Sequence, residues 1–342
     1  MSDIDPMPPM PSPGRSDAVA SGHVDRSVVR QLARLEGTES ALVLASGMAA
    51  VAGTMVSLLR QGDHLLASRW LRPDTRRFFE HELPALGVQV SFVDPTETRG
   101  WRRSLTRTTR LMYLESPVDP TTRIVDMRPA VTLAHELGLA LVVDATLASP
   151  INFRPVAHGA DVVLHSASMF LDGHADGVAG VVCGSDAVVD EVRAKMRSWG
   201  AEPHPVAVEH LARGLKTLEV RVAQQNATAM AVAQWAAAQA TDRRALRAVY
   251  YPGLATHPDH AVASACFSGY GSLIAIALRG GDAAVGALLG RLQHIRVQPA
   301  DDTARLGGIE SVASALPDGS IRLNIGLDDA STVIDDLTQA LE

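Results

Sequence analysis

Lysine is almost missing from this sequence: only Lys195 and Lys216 occur among its 342 residues, and arginine supplies the other positive charges. Cysteine is equally rare, with Cys183 and Cys266 alone, so no disulfide framework exists and a reducing, cytoplasmic setting is expected. The net charge of -7 argues against a nucleic-acid-binding surface. No apolar run reaches the roughly 20 residues of a membrane span, and no signal peptide is recognisable at the N-terminus.

The distribution of proline and apolar residues predicts the domain organisation. Residues 1–25 are rich in proline, serine, glycine and aspartate, so we predict a disordered segment there. A helical pattern begins near Ser27, with Val28, Leu32 and Leu35 at helical spacing. We predict one large domain over 26–238 and a smaller C-terminal α+β domain over 239–342.

Short apolar runs alternate with longer segments rich in alanine and leucine, which predicts an α/β fold with a mostly parallel sheet and helices on both faces. The predicted strands are residues 64–68, 88–93, 110–115, 140–144, 162–165 and 178–183. A single long helix is predicted at about 210–238.

Polar residues follow several apolar runs, where ligands commonly bind. Gly47 and Met48 open an apolar helix after a strand-like run, so this turn is either a phosphate site or an ordinary strand-to-helix turn. Asp144 ends the most apolar strand, where it either contacts a ligand or caps a helix. Ser166 and Ser168 also follow a strand, and their hydroxyls suit either an anion or a helix cap.

Residues 164–174, L-H-S-A-S-M-F-L-D-G-H, resemble the cofactor-lysine segment of the transsulfuration family, the pyridoxal-phosphate (PLP) enzymes of cysteine and methionine metabolism. The family pattern is roughly H-S-[AT]-[TS]-K-[YF]-[LI]-x-G-H. Further segments in the family's order are residues 45–50, 114–121, 142–146, 213–218, 251–254, 306–311 and 321–329. The resemblance implies a fold type I, PLP-transferase-like architecture, similar to cystathionine gamma-synthase and gamma-lyase. It also implies dimers or tetramers with sites shared between subunits.

The resemblance also implies roles for individual residues. Asp144 would pair with the protonated pyridine nitrogen of PLP, making the ring an electron sink. The residues that would hold the cofactor are Gly47, Met48, Asp144, Thr146, Ser166 and Ser168. Arg322 would grip a substrate carboxylate with its two guanidinium nitrogens, unless it is a surface arginine on an edge strand. Asp119 and Arg305 would lie near the same substrate.

The sequence departs from the family pattern at the positions that carry chemistry. Met169 stands where the family has its Schiff-base lysine, and a thioether cannot form an imine or shuttle a proton. Arg72 replaces the tyrosine that stacks on the PLP ring, Asp119 replaces an asparagine, and Arg305 replaces a small serine. The Tyr-x-Arg arm that reaches a partner subunit's phosphate is missing at residues 17–19.

The two lysines and the segment before the last strand also bear on the family resemblance. Lys195 and Lys216 lie in segments typical of surface or structural helices, so neither is expected to replace the missing lysine. Residues 312–319 are expected to form a shortened loop that leads straight into the last strand.

Three functions remain open. The first is a pseudoenzyme that forms a homo-oligomer or a hetero-oligomer with an active paralog, with no covalent cofactor and any PLP held noncovalently. The second is an enzyme with lysine-independent chemistry on an amino-acid-like molecule. Its polar cleft would contain Arg72, Asp119, Asp144, Arg305 and Arg322. The third is a PLP-dependent C–S lyase or synthase carrying an engineered lysine-to-methionine change at Met169.

Overall fold

The structure is a computed structural model that describes residues 26–241, 245–303 and 305–342. The predicted disordered segment at 1–25 and the missing arm at 17–19 therefore lie outside the described residues.

A seven-stranded sheet forms the centre of the larger part of the molecule. Its strands are β1 Ser40–Leu44, β2 His64–Ser68, β3 Gln89–Val93, β4 Thr109–Glu115, β5 Ala140–Asp144, β6 Val162–Ser166 and β7 Gly180–Gly184. They lie in the order β1-β7-β6-β5-β4-β2-β3. Strands β2 to β6 are parallel, and β7 is antiparallel to β6 and β1. The mostly parallel sheet and all six predicted strands are confirmed, and β1 is the strand-like run before Gly47.

Helices cover both faces of this sheet. They are α1 Arg26–Glu36, α2 Gly47–Leu58, α3 Pro73–Arg77, α4 Leu83–Ala85, α5 Thr98–Ser104, α6 Met127–Leu137, α7 Ser149–Asn152, α8 Asp186–Ser198, α9 Pro205–Leu215 and α10 Leu218–Thr241. A π-helical turn, Phe78–Glu82, joins α3 to α4. Leu65 and Leu66 of β2 belong to different apolar clusters, because successive side chains point to opposite faces of a strand. No helix in the described ranges is long and apolar enough to cross a membrane.

A second, five-stranded sheet is built from the C-terminal part of the chain. Its strands are β8 Leu246–Tyr250, β9 Leu273–Leu278, β10 Arg296–Val297, β11 Val312–Ala315 and β12 Ser320–Asn324, and its helices are α11 His260–Cys266, α12 Gly281–Arg291 and α13 Ala330–Leu341. The strand order is β10-β11-β12-β9-β8, and its own apolar cluster packs against α10. The prediction of a loop at 312–319 was wrong, because Val312–Ala315 pairs with β12 as the first strand of a hairpin.

The prediction of a single helix over 210–238 was also wrong, because a turn at Lys216 and Thr217 separates α9 from α10. The guanidinium of Arg221 donates hydrogen bonds to the carbonyl oxygens of Gly214 and Phe170, 2.9 and 3.0 Å away. Gly214 packs so tightly that a Cβ atom there would lie 2.2 Å from the carbonyl oxygen of Asp172. These contacts fix the turn through residues that are distant in sequence, which the helical pattern alone does not reveal.

Candidate functional site

A cavity of about 370 Å³ lies at the carboxyl ends of the central parallel strands. Its lining combines the start of α2, the ends of β5 and β6, the start of α3, and the segment before β7. The lining residues are Ser46, Gly47, Met48, Val51, Arg72, Asp74, Thr75, Asp144, Thr146, Ser166, Ser168, Met169, Ala175, Asp176, Gly177, Val178 and Thr303. This is the edge at which open α/β sheets bind ligands.

The start of α2 presents unused backbone donors to this cavity. Ser46 caps the helix, since its Oγ accepts from the amide of Ala49 at 3.0 Å and its carbonyl accepts from Ala50. The first amides of a helix have no partner within the helix, and those of Gly47 and Met48 donate to no other backbone group among the described residues. These amides lie at the positive end of the α2 helix dipole, which favours the binding of an anion.

Glycine is required at this turn because two neighbouring segments approach closely. A Cβ atom at Gly47 would lie 2.8 Å from Cβ and 2.9 Å from Oγ of Ser166. A Cβ atom at Gly180 would lie 2.0 Å from the carbonyl oxygen of Ser46. All three distances are shorter than van der Waals contact, so side chains at these positions would displace the turn.

Asp144 is buried and held in place by three donors. Its Oδ1 accepts from the amide of Thr146 at 2.9 Å and from the Thr146 hydroxyl at 2.5 Å. The Tyr113 hydroxyl lies 3.5 Å from its Oδ2. Burial, together with the charge of Asp144, raises the pKa of Tyr113, so this hydroxyl keeps its proton and serves as a donor. Asp144 is thus a fixed acceptor on the cavity wall.

The two serines predicted for phosphate binding differ in their surroundings. Ser166 lines the cavity beside Gly47, and its amide donates to the Thr146 hydroxyl at 2.8 Å. Ser168 also lines the cavity, but its Oγ is hydrogen-bonded to Ala179, the residue before β7, 3.2 Å from the amide and 3.3 Å from the carbonyl oxygen. The Ser166 hydroxyl is therefore better placed for a ligand than that of Ser168.

Arg72 and Met169 contact each other inside the cavity. Arg72 Nη1 lies 3.5 Å from Met169 Sδ, and Nη2 donates to Thr303 Oγ1 at 2.8 Å. Within the described ranges, no carboxylate lies at ion-pairing distance from this guanidinium. Met169 is only 3% exposed and packs with the buried core. The cavity therefore contains an arginine without a counter-ion, facing a thioether.

Glu115 supports Arg72 from the end of β4, where it is paired in register with Asp144. Its Oε2 accepts from the Arg72 amide at 2.9 Å, whereas its buried Oε1 has no partner among the described residues. Burial raises the pKa of Glu115 well above its usual range, and Asp144 adds to this effect despite the opposing charge of Arg72. Glu115 therefore binds the backbone of Arg72 rather than its guanidinium.

The three residues predicted for substrate binding lie outside the cavity lining. Arg322 and Asp119 pair with each other, with Nη1 and Oδ2 separated by 2.6 Å. Arg322 is on β12, an interior strand of the smaller sheet, so it is not a surface arginine on an edge strand. Arg305 is directed away, and its Nη1 pairs with Glu310 Oε2 at 2.9 Å. The structure thus joins two of these residues and separates the third.

Neither lysine reaches the cavity. Lys195, on α8, donates from Nζ to the carbonyl oxygen of Val56 at 2.7 Å. Lys216 is exposed at the end of α9. Within the described part of the chain, no cluster of histidine, cysteine, aspartate and glutamate could hold a metal ion.

Sequence reasoning missed Thr75, Glu115 and Thr303. Glu115 lies in a segment that matches the family pattern and at the end of a predicted strand, so its place in the site could have been predicted. Thr75 is buried behind Met48, with Oγ1 3.8 Å from the Met48 sulfur. Thr303 reaches Arg72 from a loop 231 residues later in the chain, and no local pattern indicates such a contact.

A family model described as Cys/Met metabolism PLP-dependent enzyme matches residues 22–342. The chain belongs to this family. It is 34% identical over 334 residues to L-methionine gamma-lyase of Pseudomonas putida, covering 91% of this chain and 81% of that protein. It is 32% identical over 331 residues to chloroplastic cystathionine gamma-synthase 1 of Arabidopsis thaliana, covering 91% of this chain but only 57% of that protein.

The fold is similar to a solved structure, metB from Corynebacterium glutamicum. The TM-score is 0.86 at 28% sequence identity, over 93% of this chain and 84% of that chain. The expected transsulfuration family and the fold type I architecture are therefore confirmed.

Proposed function

We propose that this family member binds PLP, or a closely related phosphate ester, reversibly and without a covalent bond. The observation that carries the proposal is the Arg72–Met169 contact, which places a thioether and an uncompensated cation in the cavity and no amine. Neither Lys195 nor Lys216 lines this cavity. PLP supplies an electron sink when a lysine holds it, and this chain offers no lysine there.

The residues fit the noncovalent part of such a ligand. The free amides of Gly47 and Met48, the Ser166 hydroxyl and the Arg72 guanidinium form a donor set suited to a phosphate. Asp144, held by Thr146, is a suitable acceptor for a protonated ring nitrogen. The chain itself would therefore bind and orient the ligand, while the proton transfers that a lysine amine performs would have no carrier at position 169.

This arrangement supports a non-catalytic protein rather than an enzyme acting on amino acids. The arginine that would recognise a substrate carboxylate, Arg322, is already paired with Asp119. An engineered change at Met169 alone would leave Arg72 and Asp119 unexplained, because both of these residues also differ from the family pattern. We therefore favour a pseudoenzyme over a lysine-independent enzyme.

The binding proposal is tested by equilibrium titration of the purified protein with PLP, followed by absorbance, and by a parallel titration with pyridoxal, which lacks the phosphate. We expect saturable PLP binding that dialysis removes, and much weaker pyridoxal binding because the phosphate donors would be unused. Absence of saturable PLP binding, or equal affinity for the two ligands, would contradict the proposal.

We also propose that the protein assembles with a second copy or with an active family member. Val178 supports this, because it borders the cavity and its apolar side chain is 62% exposed, so a partner subunit could cover it. Co-expression with an active family member, followed by affinity purification through a tag on one chain, tests the hetero-oligomer. Mixed oligomers are expected, and recovery of only separate homo-oligomers would reject that assembly.

A further inference from the structure

Arg322 is an almost completely buried cation with an internal partner. Its side chain is 2% exposed and projects from β12 in the interior of the smaller sheet. Nη1 donates to Asp119 Oδ2 at 2.6 Å, and Nη2 donates to the carbonyl oxygen of Ala300 at 2.8 Å. Asp119 is itself only 18% exposed. The guanidinium thus has its charge neutralised by a carboxylate of the same chain.

This ion pair is connected to the cavity on two sides. The carbonyl oxygen of Ala300 accepts a hydrogen bond from Arg322. Three residues later in the same segment, the hydroxyl of Thr303 accepts a hydrogen bond from Arg72 on the cavity wall. On the other side, Asp119 is close enough to Glu115 for its charge to contribute to the raised pKa of that buried carboxyl group. The pair therefore adjoins the proposed ligand site, although neither residue lines the cavity itself.

A ligand carboxylate could reach Arg322 only by displacing Asp119. Displacement would leave the Asp119 carboxylate half-buried without a cation, which is strongly unfavourable. Its Oδ1 atom already has no hydrogen-bond partner among the described residues. Within the described ranges, Arg322 is the one ion-pair partner of Asp119, so no second cation would compensate the displaced carboxylate.

We infer that Asp119 is a specificity-determining residue that occupies Arg322 as a built-in carboxylate, so that the cavity accepts phosphate esters without a free carboxylate and rejects amino acids. The inference rests on the proposed function for the identity of the phosphate ligand, but the occupation of Arg322 by Asp119 stands on the ion pair alone.

The test uses propionate as a carboxylate probe and propionamide as its neutral match, with sodium chloride added to equalise ionic strength. Thermal unfolding is measured for the wild-type protein and for Asp119→Asn, which frees Arg322 while nearly preserving the side-chain shape. We expect propionate affinity to rise at least ~10-fold in Asp119→Asn, because a charge-assisted bidentate pair becomes available. Propionamide should stabilise neither protein.

Asp74→Asn is the matched control, because Asp74 lines the cavity and its loss removes the same charge without freeing Arg322. If Asp74→Asn gains propionate affinity equally, the effect is a general change in cavity charge and the inference fails. A propionate affinity that does not rise in Asp119→Asn would also overturn it.

Asp119→Ala keeps the inference testable if Asp119→Asn folds poorly. Propionate should then restore part of the lost thermal stability by taking the place of the missing carboxylate, whereas propionamide should not. Equal effects of the two probes would count against the inference. Because no PLP is present in any of these measurements, failure of PLP binding and failure of this inference are separate results.

Discussion

The guanidinium of Arg72 lies against the thioether of Met169, with Nη1 3.5 Å from Sδ. Because Nη2 also donates a hydrogen bond to Thr303, both terminal nitrogens of the guanidinium contact neutral partners. A cation held this way at the carboxyl ends of parallel strands can attract an anion but cannot form an imine.

Replacement of Arg72 by alanine is expected to weaken PLP binding. Loss of charge-assisted hydrogen bonds costs about 1.5–3 kcal/mol, or roughly 10- to 100-fold in the dissociation constant. Equilibrium titration measures the change. Arg77→Ala is the matched control, because Arg77 ends helix α3, which Arg72 precedes, but is exposed and outside the cavity lining. Equal losses in both variants would show that overall charge, rather than Arg72 itself, governs binding.

Gly47→Ala is expected to disturb the turn that starts α2. The added Cβ would meet Ser166 Cβ at 2.8 Å, so either the turn or the end of β6 must shift. Overpacking of this kind costs about 1–3 kcal/mol of stability, and PLP affinity should fall because the amides of Gly47 and Met48 move. Thermal unfolding and PLP titration check both effects. Gly290→Ala, where nothing lies within 4 Å of the added atom, should leave PLP affinity unchanged.

The stability of the protein should depend on the protonation of Glu115. Burial raises the pKa of Glu115 in the folded state, so the folded protein holds this proton more tightly than the unfolded chain. The resulting stabilisation is complete below the unfolded glutamate pKa of about 4.3 and declines as pH rises from there through the raised pKa.

Glu115→Gln should therefore reduce this decline while keeping an oxygen acceptor for the Arg72 amide. Urea unfolding at a series of pH values measures the slope of the unfolding free energy for wild type and variant. The exposed Glu97→Gln serves as the control and should retain the wild-type slope. An unchanged slope in Glu115→Gln would show that this residue does not carry the effect.

The buried pair between Glu36 and His165 is expected to stabilise the position of β6. Glu36 Oε1 and His165 Nε2 are 2.5 Å apart, and each side chain is 2% exposed. Glu36→Ala removes one partner of a buried pair and should cost about 3–5 kcal/mol in unfolding free energy. Chemical denaturation measures the loss. Glu209→Ala, at an exposed site, should change stability by less than about 0.5 kcal/mol.

Much of the larger sheet could be predicted because its strands are short apolar runs bounded by turns. The observed bounds of β2 and β5, His64–Ser68 and Ala140–Asp144, match the predicted ranges. The turn between α9 and α10 could not be predicted, since it depends on the contacts of Arg221 with Phe170 and Gly214. Periodicity reports which face of a helix is apolar, but not where distant backbone interrupts it.

The site was predicted less completely than the fold. Asp144, Ser166, Gly47 and Met169 line one cavity, and their roles in ligand binding stay predictions. The pairing of Asp119 with Arg322 joins residues 203 positions apart, so the sequence identified both but not their neutralisation of each other. Arg305 was expected beside them, yet its ion pair with Glu310 holds it elsewhere.

The absence of covalent cofactor chemistry is tested most directly by intact-mass measurement after borohydride reduction with stoichiometric PLP. The wild type is predicted to bind PLP yet gain no reduced adduct, because Met169 carries no amine and both lysines lie outside the cavity. Met169→Lys is the positive control and should gain one adduct, located at position 169 by peptide mapping. A stoichiometric adduct on Lys195 or Lys216 of the wild type would contradict the account.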